Sequence, residues 1–154
     1  METPRPAPYT SSAAHITGPP VAETEDDLLE SDDPACRELL DRYVAAFEKA
    51  DVDALERLLR EDAVLEMPPF LSWFSGREEF GRFIRWVCAR RGPWRMAPAR
   101  ANGQPALVAY ADGGDGVLRA HSLQVLAIGK DGIARNVVFG SPALFAVFGL
   151  PARL

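Results

Sequence analysis

Cysteine and histidine are scarce in this chain, and long apolar runs are missing. The two cysteines, Cys36 and Cys88, lack the spacing of a disulfide framework or a zinc site. Free thiols of this kind read as small buried hydrophobes and suit a reducing compartment. No stretch reaches the roughly 18 consecutive apolar residues of a membrane-crossing helix. The start METPRPAPYT also lacks the basic and apolar segments of a secretory signal. A cytoplasmic protein without a membrane partner is expected. Positive charge is in deficit as well: 17 Lys and Arg face 22 Asp and Glu, a net charge of −5. No broad basic surface is available to neutralise phosphates, so direct nucleic-acid binding is not expected. GxGxxG, a phosphate loop, HExxH and CxxC do not occur, and nothing implies a metal, a nucleotide or another cofactor.

What is present suits one domain: 154 residues, 47% of them hydrophobic, suffice for a proper core. Residues 1–32 are rich in proline and carry the acidic run ETEDDLLESDDP without helical or strand periodicity, which predicts a disordered tail or linker. Order is expected over 33–154. Asp33 can cap a helix whose first position is Pro34, with Leu40, Tyr43, Val44 and Phe47 on one face. A short helix from Asp51 turns Val52, Leu55, Leu58 and Leu59 inward, and DAVLEM reads as a strand stopped by Pro68 and Pro69. The stretch PPFLSWFSG reads as an aromatic loop. Ser75 and Glu78 form a capping box for a third helix bearing Phe80, Phe83, Ile84 and Val87, with Trp86 off that stripe. The run CARRG at its end places arginines where the helix dipole favours cations.

Beyond RRGPW the period changes from helix to strand. Residues 94–101, 105–111, 117–128 and 132–139 are separated by the turn signals ANGQ, DGGD and GKDG, a four-strand meander. Helices segregated from antiparallel strands predict an α+β domain with helices on one face of a curved sheet. In-register hairpins put Arg95, Val108, Tyr110, Ala120, Ser122, Gln124, Val137 and Phe139 on one face. Trp94, Met96, Leu107, Ala109, His121, Leu123, Val125, Asn136 and Val138 then share the other. Both faces are largely apolar. Helices cover only one, which leaves the second for another subunit and predicts a homodimer through the sheet. The ending SPALFAVFGLPARL offers a short helix around Leu144 to Phe148.

The order helix, short helix, strand, capped helix and meander resembles the SnoaL-like members of the nuclear transport factor 2-like superfamily, whose fold is a cone enclosing a pocket between helices and sheet. The stretch RYVAAFEKADVDALERLLREDAVLE is similar to the start of bacterial ketosteroid isomerases. A second resemblance, over roughly 33–154, rests on LLDRYVAAFEKADVDALERLLREDA, MPPF, ANGQPA, LQVL and FGLPARL, which look like the C-terminal SnoaL-like domain of extracytoplasmic-function sigma factors. No promoter-binding regions precede Asp33, so either an excised domain or a free-standing relative is expected. The isomerase resemblance puts Tyr43 where that family keeps its oxyanion-hole tyrosine. It puts Met67 where the catalytic base stands and Ser122 where the second oxyanion acid stands, so steroid isomerisation is not supported.

The remaining candidates follow from residue chemistry. His121 titrates near neutrality and suits general acid or base work, although a strand histidine is also a common structural or interface residue. Tyr110, Ser122 and Gln124 form a patch of hydroxyls and an amide, with Arg95 and Phe139 on the same inferred face. Trp73, Phe74 and Trp86 are candidates for the pocket mouth, or plain core. Glu66 alternates with Met67 and so points away from a pocket that Met67 lines. The resemblance implies a cofactor-free enzyme that holds a small hydrophobic molecule in the cone. Its polyketide cyclase-like chemistry would be cyclisation, isomerisation or epoxide opening, with Tyr43, Tyr110 and His121 catalytic and Met67, Trp73, Phe74, Trp86, Arg95, Ser122, Gln124 and Phe139 binding substrate. The alternative is a non-catalytic ligand-sensing or regulatory domain, as the sigma-factor resemblance implies.

Overall fold

The computed structural model describes residues 28–69, 73–101 and 103–154. The first helix, α1, spans Pro34–Glu48; the Asp33 carboxylate accepts from the Ala35 N–H at 2.8 Å, and Cys36, Leu40, Tyr43, Ala46 and Phe47 line its buried face. Asp51 caps α2, Val52–Glu56, in the same way, accepting from the Ala54 N–H at 3.1 Å. The chain then enters β1, Leu59–Glu66, which pairs with the short β2, Trp73–Ser75. Helix α3 covers Arg77–Arg90. A meander follows: β3 Trp94–Ala101, β4 Gln104–Asp112, β5 Leu118–Gly129 and β6 Gly132–Phe139. A last short helix, α4, spans Ala143–Val147.

The strands form one six-stranded sheet in the order β2-β1-β6-β5-β4-β3, antiparallel except where β1 runs parallel to β6. The main core lies between the helices and one face, joining Leu40, Tyr43 and Phe47 to Leu65, Ile84, Leu107 and Leu126. Two side chains fix the helices on it. Arg77 donates from Nε and Nη2 to the Leu59 carbonyl, at 3.0 and 2.8 Å, anchoring the start of α3 on β1. Glu48, at the end of α1, accepts the Met96 N–H at 2.9 Å and so covers an outward donor of the edge strand β3.

Four expectations are corrected. PPFLSWFSG is not all loop, because Trp73, Phe74 and Ser75 pair with Glu66, Leu65 and Val64. That pairing takes Ser75 out of the capping box: α3 starts after Gly76, at φ 95°, without a side-chain cap. Leu28 and Leu29, assigned above to the tail, join the domain; Leu28 bridges Gly129, and the Leu29 N–H donates to the Ile128 carbonyl at 2.7 Å. The rest of that tail, 1–27, lies outside the described residues. Finally, the inferred faces fail along β5. Its register shifts between Ala109 and Tyr110 of β4: Ser122 lies opposite Ala109, but Ala120 lies opposite Tyr110, which makes His121 an extra residue. An extra residue reverses the in-out alternation. Ser122 and Gln124 therefore face the helices while Leu123 and Val125 face away, the opposite of in-register pairing.

The second face carries its own small core. Tyr110, Val108, Leu123 and Ala106 pack with the fully buried Phe145 of α4, and Tyr110 meets Phe145 edge to face at 5.2 Å. The C-terminal residues are tied down by the Tyr110 hydroxyl donating to the Pro151 carbonyl at 2.9 Å, and by Ala120 N–H to Ala152 O and Leu154 N–H to Leu118 O. Part of the face expected to lie against another subunit is thus covered by the chain itself.

Candidate functional site

Between helices and sheet lies a cavity of about 130 Å³. Its apolar wall comes from Phe47 of α1, Leu65, Met67 and Pro68 at the end of β1, and Phe83, Ile84 and Val87 of α3, with Trp94 and Val138. Its polar wall is the β5–β6 pair: His121, Ser122, Gln124 and Asn136. Because the extra residue His121 puts two consecutive side chains on the cavity side, β5 offers three polar groups within four positions, where strict alternation would give two.

Behind that wall sits a buried trio. Asn136 donates from Nδ2 to Gln124 Oε1 at 2.9 Å and to the Tyr43 hydroxyl oxygen at 3.2 Å, while the Tyr43 hydroxyl donates to Gln124 Oε1 at 3.2 Å. Tyr43 is fully buried, and burial raises the pKa of its phenol far above the ordinary value despite the Asn136 bond. It is a neutral hydroxyl at physiological pH, and it braces the two amides rather than lining the cavity. Asn136 is also fully buried, yet its Oδ1 accepts from no described residue. Gln124 and Ser122 add an amide nitrogen and a hydroxyl to the cavity lining. The wall therefore presents acceptors and donors to whatever occupies the cavity.

His121 lines the cavity, edge to face with Trp94 at 4.9 Å, its Nδ1 buried without a hydrogen-bond partner among the described residues. Burial first, and the positive charge of Arg91 second, lower its pKa from 6.5 to about 4. It is neutral at pH 7. Among the described residues no aspartate or glutamate lines the cavity; Glu66 points to the other side of the sheet and pairs with Arg135 at 3.2 Å.

Of the residues singled out in the sequence, Met67, His121, Ser122 and Gln124 meet at the cavity. Phe74 stands one layer back, stacked on Phe83 at 4.4 Å, and Trp73 is buried in β2. Trp86 lies outside, at the rim. Tyr110 and Phe139 lie on the opposite face, and Arg95 is exposed beside Glu48; they were grouped with Ser122 and Gln124 by a register that the extra residue breaks. Asn136 was missed as a site residue. Its signal was an amide in the middle of the apolar strand GIARNVVF, where a buried polar group demands partners. Among the described residues no cluster of three His, Cys, Asp or Glu side chains is placed to hold a metal. No helix among them is long and apolar enough to cross a membrane.

Comparisons with known proteins accord with this geometry. Residues 40–137 match the family model described as the SnoaL-like domain. The chain is 38% identical over 131 residues to the ECF RNA polymerase sigma factor SigG of Mycobacterium tuberculosis; the match covers 84% of this chain but spans only 35% of that protein. Among solved structures, an NTF-2 like protein of unknown function from Burkholderia xenovorans aligns with a TM-score of 0.59 at 13% identity, covering 70% of this chain and 83% of that one. An LEH-like epoxide hydrolase from Mycobacterium tuberculosis aligns with a TM-score of 0.55 at 17% identity, over 72% and 86%.

Proposed function

The chain belongs to the SnoaL-like family and has the nuclear transport factor 2-like α+β fold, and from that premise we propose that it is a small-molecule-binding, ligand-sensing domain. The observation that carries this reading is the make-up of the polar wall: two amides, a hydroxyl and a neutral imidazole, with no carboxylate among the described residues. Acid–base turnover works best with a group whose pKa lies near the operating pH. Here burial drives His121 down and Tyr43 up, away from neutrality on both sides. Such a wall recognises without exchanging protons. A cavity of about 130 Å³ is close to the size that takes up a single benzene ring in an engineered protein interior. The portion of the ligand inside is accordingly compact, apolar and uncharged, with a hydroxyl or N–H for Asn136 Oδ1. The likeness to a sigma factor supports a regulatory role for the binding.

The test is a panel of single-ring phenols, lactones and cyclic ketones, read by thermal shift and by mass analysis of the recovered compound. Binding should raise the melting temperature, return the compound unchanged and vanish in Val138→Trp, which fills the cavity. A failure of every compound to bind would sink this reading.

One observation favours a second reading, a cofactor-free enzyme that cyclises, isomerises or opens an epoxide. His121 Nδ1 is buried without a hydrogen-bond partner among the described residues, on the same wall as Ser122, an arrangement that can orient a water toward a strained ring. On that reading a cyclic epoxide is consumed and His121→Gln stops the reaction. Turnover that survives His121→Gln, or no turnover at all, rejects it.

A further inference from the structure

A second hollow lies on the other side of His121. Phe83, Val87 and His121 also line this outer hollow of about 610 Å³, completed by Trp86, Arg90, Arg91, Gly92 and the Asp112–Gly114 loop. The two spaces adjoin at the histidine. Along β5 the Gln124–Asn136 end of the inner space lies roughly 10 Å from this neck, three residues of strand away.

The outer hollow is lined by two arginines at the end of α3. The chain is acidic overall, and on α3 itself Arg82 is matched by Glu78 and Glu79, and Arg85 by Asp53 and Glu56. Arg90 and Arg91 have no carboxylate partner among the described residues. Arg90 is held in place nonetheless, its guanidinium 4.3 Å from the centre of the Trp86 ring and its Nη1 donating to the Trp86 carbonyl at 3.3 Å. Arg91 is close enough to His121 to disfavour its charged form. Asp112, the one carboxylate among the described residues of the hollow, is engaged with its own loop, its Oδ1 accepting from the N–H groups of Gly114 and Gly116 at 2.7 and 3.0 Å. The helix dipole accounts for cations at this end of α3. It does not account for their lying in a hollow that shares Phe83, Val87 and His121 with the cavity.

We propose that the ligand is an amphiphilic organic acid: an apolar ring or short chain in the inner cavity, a neck past His121, and a carboxylate in the outer hollow facing Arg90 and Arg91. This rests on the ligand-binding reading above and adds the anionic end. Arginine forks match carboxylates with two parallel hydrogen bonds, and the apolar neck keeps the charge out of the inner space, where its desolvation would be uncompensated.

The test compares 3-phenylpropionate with its primary amide, which preserves shape and removes charge, by titration calorimetry on the full chain at low and high salt. The acid should bind about tenfold tighter or more, the worth of a charge-assisted hydrogen bond, and its advantage should shrink with salt. Arg91→Gln should bring the acid down to the affinity of the amide and leave the amide unchanged, whereas Arg100→Gln, on another part of the surface, should change neither. Equal binding of acid and amide, or equal losses in Arg91→Gln and Arg100→Gln, overturns the anionic end and leaves the ligand-binding reading standing. Binding of neither compound at millimolar concentration overturns both.

Discussion

His121 carries a consequence for stability that is independent of any ligand. Its pKa is about 4 in the folded protein and 6.5 when unfolded. Between those values the unfolded chain holds a proton that the folded chain does not, so acidification favours unfolding. The contribution is fully present above pH 6.5, falls by up to about 1.4 kcal/mol per pH unit within the window, and is gone once pH drops through about 4. Urea denaturation of the native protein and of His121→Gln across pH 4 to 7 should give a steeper decline for the native protein; parallel curves would mean that the imidazole titrates normally. At this scale the sequence was partly legible. A histidine and a glutamine within one strand are conspicuous, and Met67 stood out through the isomerase resemblance, which set it at the base position. Tyr43 was assigned to the pocket by resemblance, but Gln124 and Asn136 stand between its hydroxyl and the cavity. That screening depends on side-chain packing, which one-dimensional spacing does not encode.

At the scale of elements, capping chemistry was the most readable signal, because Asp33–Pro34 and Asp51 act on neighbours two and three residues away. The failures were long-range. Ser75 had the local signature of a cap, and pairing with β1 claimed it first. Strand β2, three residues long, is too short to show a period. The β5–β6 turn illustrates a nonlocal constraint as well: Gly132 has φ 133°, and a Cβ there would come within 2.6 Å of the Leu58 carbonyl oxygen, which accepts the Ile133 N–H at 2.8 Å. GKDG announced a turn, but not that its last glycine is pressed against the segment entering β1. Gly132→Ala should therefore cost about 2–3 kcal/mol, strained backbone and collision together. Gly113→Ala, where a Cβ meets only the Arg119 guanidinium at 3.5 Å, should stay within about 0.5 kcal/mol. Chemical denaturation of both variants checks the contrast, and similar losses would contradict it.

For the molecule as a whole, α+β class, helix order and meander were all readable, since α1, α3 and the four meander strands each repeat their period over eight or more residues. Sheet order was not, because the parallel β1–β6 pairing joins distant segments. On the outer face a groove of about 290 Å³ remains between β5, β6 and α4, lined by Leu123, Val125, Val137, Phe139, Leu144 and Phe148. The large exposed hydrophobic residues Val147, Phe148 and Leu154 all belong to the adjoining C-terminal segment. A second copy of the chain remains our proposal for what covers this face. Sedimentation at tens of micromolar should show a dimer, and Val147→Glu with Phe148→Glu should yield a folded monomer; a native protein that sediments as a monomer would end the idea. The extra residue in β5 bears on both faces at once. Side chains along a strand alternate like a wave of period two, and His121 inserts half a period. Which residues serve the ligand and which serve the outer surface is thus a matter of parity: loss or gain of a single codon in this strand would exchange floor and roof, sending Leu123 and Val125 inward and Ser122 and Gln124 out.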